Sequence, residues 1–134
     1  MFATRVLGTN IRYRKTRRSV AEDLQWGERL VRAYPSAQRF KLKDYTVVSF
    51  PGKYTSELVV LDSARVIALF QLELAEPKII TPHATLDADF RRKGLTTLVY
   101  KYFLDKGYVF LSGEDQTAEA NLVWKSLSSS YDLS

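Results

Sequence analysis

The chain has 134 residues, 46% of them hydrophobic and 26% charged, which is close to the globular average and excludes a disordered, collagen-like or coiled-coil protein. There is no cysteine and one histidine, His83, so disulfides, thiol catalysis and zinc held by cysteines or a histidine cluster are excluded. The net charge is +5, no apolar run approaches the ~20 residues that span a bilayer, and Met1 to Leu7 does not read as a secretory leader. Together these features read as one domain, residues 1–134, in the cytoplasm, with no membrane contact.

In chain order, the first distinctive segment is Ile11 to Arg18, with five basic residues in eight. It reads as a solvated strand edge or loop, or as a patch for nucleic acid, an acidic protein or a phosphorylated cofactor. Ser19-Val20-Ala21-Glu22 is a capping box. Val20, Leu24, Leu30, Val31 and Tyr34 then form a rough helical stripe, and Tyr34-Pro35 ends it. This predicts a helix over 19–33, with an extended arm or strand before it, although Gly27 weakens the helix by roughly 1 kcal/mol relative to Ala.

Three strand-like runs follow: 45–50, closed by Pro51-Gly52; 57–61, closed by Asp62-Ser63; and 65–74, whose last residues alternate apolar and polar. Their short connections predict an antiparallel meander. Residues 78–87 form a fourth strand in which Pro82 implies a bulge, an edge or a late start. Leu95, Leu98, Val99, Tyr102 and Phe103 share one helical face, with Gly107 at the expected glycine cap. Residues 108–111 read as a short strand, and a last helix starts near Thr117 with Leu122, Val123 and Leu127 inward. The fold class expected is α/β (α+β): a mixed, mainly antiparallel sheet flanked by helices.

The segment richest in chemistry is Leu86 to Thr96, between a strand and a helix N-terminus. Free amides and the helix dipole attract phosphate there; Arg91, Arg92 and Lys93 add charge, and Gly94 admits close backbone approach. Neither a P-loop nor a dinucleotide fingerprint is present.

This segment resembles the signature of the GNAT superfamily of N-acetyltransferases. Leu86 stands at the family's Val position, Ala88 at its Pro and Phe90 at its aromatic residue. Arg91 opens the loop, Gly94 and Leu95 match, and Thr96 departs from the family's Gly or Ala. Downstream, Thr117, Ala120, Val123 and Trp124 fall where the family's next helix reads N-x-x-A-x-x-L-Y or F, and Trp124-Lys125-Ser126-Leu127 is similar to the ending of small phage-encoded members. The resemblance covers about residues 55–127 and is sharpest over 86–124. The other reading of the loop is a basic helix cap in an unrelated α/β domain.

The resemblance implies an acetyl-CoA-dependent N-acetyltransferase acting on a primary amine, on a protein or elsewhere. Backbone amides of Arg92 to Thr96 hold the CoA pyrophosphate, with Arg91, Lys93, Gly94 and Leu95 in the same loop. The main chain near Thr85 and Leu86 faces the pantetheine. Trp124 occupies the position of the family's tyrosine acid; indole cannot protonate a thiolate, so Trp124 packs against cofactor or core. Glu73, late on a strand, and His83, which titrates near neutrality, are the candidate bases, each with a structural alternative: a solvent-facing carboxylate and a structural histidine. Asp87 and Asp89 read as turn or cap residues, and Tyr131 as a tail tyrosine.

The family's last two strands have no counterpart here, so the sheet is expected to be truncated after the last core helix. The acceptor side is then left open or completed by a second copy or a partner protein. Three functions follow: an enzyme, a partner-binding protein on the same scaffold, and, least favoured, a nucleic-acid binder using residues 12–18.

Overall fold

The structure is a computed structural model and describes residues 19–76 and 78–111. Helix α1 (Val20–Ala33) starts at the capping box: the Ser19 hydroxyl accepts from the Glu22 amide, and the Glu22 carboxylate accepts from the Ser19 amide. Five strands follow without a break by helix: β1 (Arg39–Leu42), β2 (Tyr45–Phe50), β3 (Thr55–Asp62), β4 (Arg65–Glu76) and β5 (Ile79–Leu86). A 3-10 turn (Ala88–Phe90) leads to helix α2 (Leu95–Leu104) and strand β6 (Val109–Phe110). The sheet order is β1-β2-β3-β4-β5-β6, antiparallel throughout except for the parallel β5–β6 pair. The molecule is therefore a mixed α+β protein with a mostly antiparallel sheet.

The sheet separates two cores because side chains alternate along each strand. Val47, Leu58, Val60, Phe70, Leu72 and Ile80 pack with Leu95, Val99 and Tyr100 of α2. Val48, Val59, Leu61, Val66 and Leu69 pack with Leu30, Leu24 and Trp26 of α1. Gly27 marks the crossing point of α1 over the sheet: a Cβ there would sit 3.3 Å from Val66 and 3.4 Å from Val59. A larger residue would lift the helix, which explains a glycine that helix propensity alone disfavours.

Strand β1 lies outside the runs read as strands. It joins β2 through the two-residue loop Lys43-Asp44, with Lys43 at φ 55. A bulge in β4 leaves Ile67 without a partner on β3. The Ile67 carbonyl accepts the Asp87 amide at 2.8 Å, so the bulge anchors the chain as it leaves β5. The expected helix from Thr117, with Trp124, lies outside the described residues.

Candidate functional site

The site begins at the parallel pair of β5 and β6. The Val109 and Leu111 amides donate to the Lys78 and Ile80 carbonyls, at 2.7 and 2.8 Å. Even-numbered residues of β5 therefore turn their main chain toward β6, and odd-numbered ones toward β4. The next rung of a parallel ladder would run from the amide of residue 82 to the carbonyl of Leu111. Residue 82 is proline and has no N–H. Ile80↔Phe110 is the last β5–β6 pair among the described residues, and Ala84 and Leu86 turn their main chain to the same edge of β5. The proline read as a bulge, an edge or a late start thus withholds one rung of the ladder. Thr85 lies differently from the expected pantetheine contact: its main chain pairs with Leu69 of β4, and its hydroxyl donates to Asp23 of α1 at 2.7 Å. Leu86 lies on the edge of β5 that faces β6.

The edge runs directly into the basic loop. Asp87 caps the 3-10 turn by accepting the Asp89 amide at 3.0 Å and receives Arg65 at 2.7 Å. The Asp89 amide, followed by the Arg65 charge, holds the Asp87 carboxyl below its ordinary value. Arg65 and Lys93 both lie over the Phe90 ring, at 5.7 and 5.4 Å. Arg92 adopts φ 60 and Gly94 φ 79, two left-handed residues just before α2. Gly94 is the helix N-cap and supplies no side-chain acceptor. The first amides of α2 thus lack the side-chain cap that closes α1, and Arg91, Arg92, Lys93 and Gly94 are all exposed beside them. Leu95 is buried in the α2 core and pins the turn; Thr96 is half-buried. Amides, a helix N-terminus and exposed cations at one point form a setting that favours a phosphate group.

On the α1 face of the same strands, the two candidate bases meet. His83 Nε2 lies 3.0 Å from Glu73 Oε1. An ionised carboxylate only accepts, so Nε2 carries the hydrogen, and in a neutral imidazole Nδ1 is left as the basic atom. The His83 side chain is 44% exposed and that of Glu73 only 11%. The histidine is therefore the accessible member of the pair and the carboxylate the enclosed one. Thr81 stands opposite Glu73 in the register, with its hydroxyl buried and unpartnered.

Sequence reading took Glu73 and His83 separately and missed the polar groups around them. Glu57, Gln71 and His83 form one row across β3, β4 and β5. Trp26 Nε1 donates to both Glu57 oxygens, at 3.2 and 3.1 Å, and Gln71 Nε2 donates to Oε2 at 3.2 Å. The Arg29 guanidinium lies 5.9 Å from the Trp26 ring centroid. The spacings Gln71-x-Glu73 and Thr81-x-His83-x-Thr85 carry the period-2 signal of a shared polar face. Joining the strands into rows requires their register.

Among the described residues there is no group of three or more potential metal ligands, and no helix is long and apolar enough to cross a membrane. The fold and site define a mixed α+β protein with a basic turn at the start of α2, following β5, and an imidazole–carboxylate pair on the α1 face of β4 and β5. No family model, curated protein or solved structure matches the chain.

Proposed function

We propose that the protein is an acetyl-CoA-dependent N-acetyltransferase with a GNAT-like arrangement, transferring an acetyl group to a primary amine. The observation that carries this reading is the parallel β5–β6 pair, with β5 leading straight into the basic Gly94 turn and the His83–Glu73 pair on the adjoining face.

Bound acetyl-CoA supplies the activated acyl group as a thioester. The amides of Arg92 to Thr96 hold its pyrophosphate, with Arg91 and Lys93 adding charge. The main-chain groups of Ala84 and Leu86 hydrogen-bond the pantetheine arm as a missing strand would. His83 Nδ1 takes a proton from the acceptor ammonium while Glu73 steadies Nε2–H. With acetyl-CoA bound, the freed amine nitrogen would bond to the acyl carbon as the carbon–sulfur bond breaks, and the proton that the nitrogen then sheds would pass through water to the departing thiolate. No side-chain acid is required, because a thiolate is a tolerable leaving group.

The test is titration calorimetry of acetyl-CoA with the wild type and Gly94→Glu, followed by assay of free thiol after an amine is added. Binding by the wild type alone, with thiol release that drops on the order of a hundredfold in His83→Ala, is the expected result. Binding without thiol release favours the second reading, a partner-binding protein on the same scaffold. No binding at millimolar acetyl-CoA would falsify both uses of the cofactor.

A further inference from the structure

Arg65 opens β4 straight after the two-residue loop Ser63-Ala64, with Asp62 as its partner across the hairpin and Ser63 at φ 57. Two residues further on, the Ile67 carbonyl accepts the Asp87 amide at 2.8 Å, which carries the β4–β5 pairing one residue past Ala68↔Leu86. The start of β4 therefore grips residue 87 twice, through the Ile67 main chain and through the Arg65–Asp87 ion pair at 2.7 Å. From there Arg65 reaches into the turn that follows. Its guanidinium lies 3.8 Å from the Asp89 carboxylate and 5.7 Å from the Phe90 ring centroid. Phe90 packs against the α2 core, and the Lys93 ammonium lies 5.4 Å from the centroid of the same ring. One side chain from the sheet thus ties the residue that begins the turn to the aromatic residue at its middle and, through that ring, to the neighbour of Gly94. The turn needs such a tie. Arg92 stands at φ 60, which a non-glycine residue keeps only where its surroundings fix it, and Gly94 supplies no side-chain cap to α2.

We propose that Arg65 is the positioning residue of the basic turn: it acts through Asp87 and Phe90, and holds the amides of Arg92 to Thr96 in the arrangement that receives a pyrophosphate. The identity of the bound group rests on the transferase reading; the hold on the turn stands without it. The Arg65 side chain is 57% exposed, so replacing it leaves both cores intact. An exposed ion pair and a cation over a ring are each weak, so the effects are several-fold and not total. Arg65 and Glu73 lie near opposite ends of the 12-residue β4, roughly 25 Å apart along the strand, which separates the hold on the turn from the proton-accepting pair.

The test compares the wild type with Arg65→Ala, Arg65→Lys, Asp87→Ala and the double variant Arg65→Ala/Asp87→Ala. Hydrogen exchange of the Asp89, Phe90 and Arg91 amides, which are bonded within the turn, reads the hold with no ligand present. Calorimetry of acetyl-CoA and thiol release read its use. Arg65→Ala is expected to speed exchange at these amides and to weaken acetyl-CoA about fivefold, raising KM for acetyl-CoA with kcat near the wild-type value. Arg65→Lys, which can still pair with Asp87, is expected to recover most of the loss. In the Asp87→Ala background, Arg65→Ala is expected to cost little more, as for two residues acting as one unit. Unchanged exchange in Arg65→Ala overturns the proposal, even where affinity falls. So does faster exchange in that variant with unchanged acetyl-CoA affinity, or a full further loss in the Asp87→Ala background, which would make Arg65 a direct ligand contact. If the wild type binds no acetyl-CoA but exchange quickens in Arg65→Ala and recovers in Arg65→Lys, the transferase reading goes and the hold on the turn remains.

Discussion

Thr81 is buried to 1% exposure, and its hydroxyl has no hydrogen-bond partner. An orphaned hydroxyl of this kind costs about 1–3 kcal/mol relative to a satisfied one, and Val has nearly the same shape. Thr81→Val is therefore expected to raise the unfolding free energy by about 1 kcal/mol, read from the urea midpoint at constant slope. A loss of stability instead would show that the hydroxyl is satisfied in solution. The neighbouring Glu73 and His83 show what was legible at this scale. Both were visible in the sequence as titratable groups on strands near the expected cleft. Their 3.0 Å pairing was not, because it depends on which residue of β5 faces which residue of β4. Tyr100 is a similar case. It falls outside the five-residue apolar face read from periodicity, yet it is 5% exposed and packs edge-on against Phe70 and Phe110, and burial pushes its hydroxyl up from the ordinary value.

At the scale of elements, Pro82 makes the most direct prediction. Proline at 82 withholds the N–H that would face the Leu111 carbonyl, and Pro82→Ala restores that donor. The new amide is then expected to resist hydrogen exchange, and acetyl-CoA is expected to bind several-fold more weakly as the edge closes. Fast exchange at residue 82 with unchanged affinity would show that the proline is not what keeps this rung open. Local signals located most elements: α1 follows its capping box, and β2 to β5 follow β-branched runs broken by turn residues. Strand β1 escaped because only Phe40 and Leu42 alternate with Arg39 and Lys41, too short a pattern to stand out after Tyr34-Pro35. Its inward residues are held by tertiary contacts such as the Phe40–Tyr102 stack at 4.6 Å, which no local rule encodes.

At the scale of the whole molecule, the sheet keeps opposite charges apart. The basic turn before α2 and the acidic rows beneath α1 lie on different sides of β5, which presents its edge to one and its odd-numbered side chains to the other. The composition read as an ordinary globular domain with an excess of cations. That count gave no sign of the acidic rows, since Glu57, Glu73 and Asp23 are scattered over 51 sequence positions. The mixed sheet with flanking helices was readable from the order of periodic segments. The hold on the basic turn was not, because Arg65 and Asp87 lie 22 positions apart in the chain and only the folded sheet brings them together.

The strictly sequential strand order also sets a timetable. Strands β1 to β5 pair only with their chain neighbours, so that meander closes through short loops of low entropic cost. Strand β6 reaches β5 only after α2 has crossed the sheet. The β5–β6 pair and the turn before α2 should therefore be assembled late, after the transition state for folding. Chevron analysis would show this as a Val99→Ala variant that unfolds faster while folding at nearly the wild-type rate, against a Val59→Ala variant that folds more slowly. Equal slowing by both would mean that α2 belongs to the nucleus. The late order would place the basic turn, proposed here to hold acetyl-CoA, in the part of the protein that opens first under stress, so that a ligand bound there would act mainly by slowing unfolding.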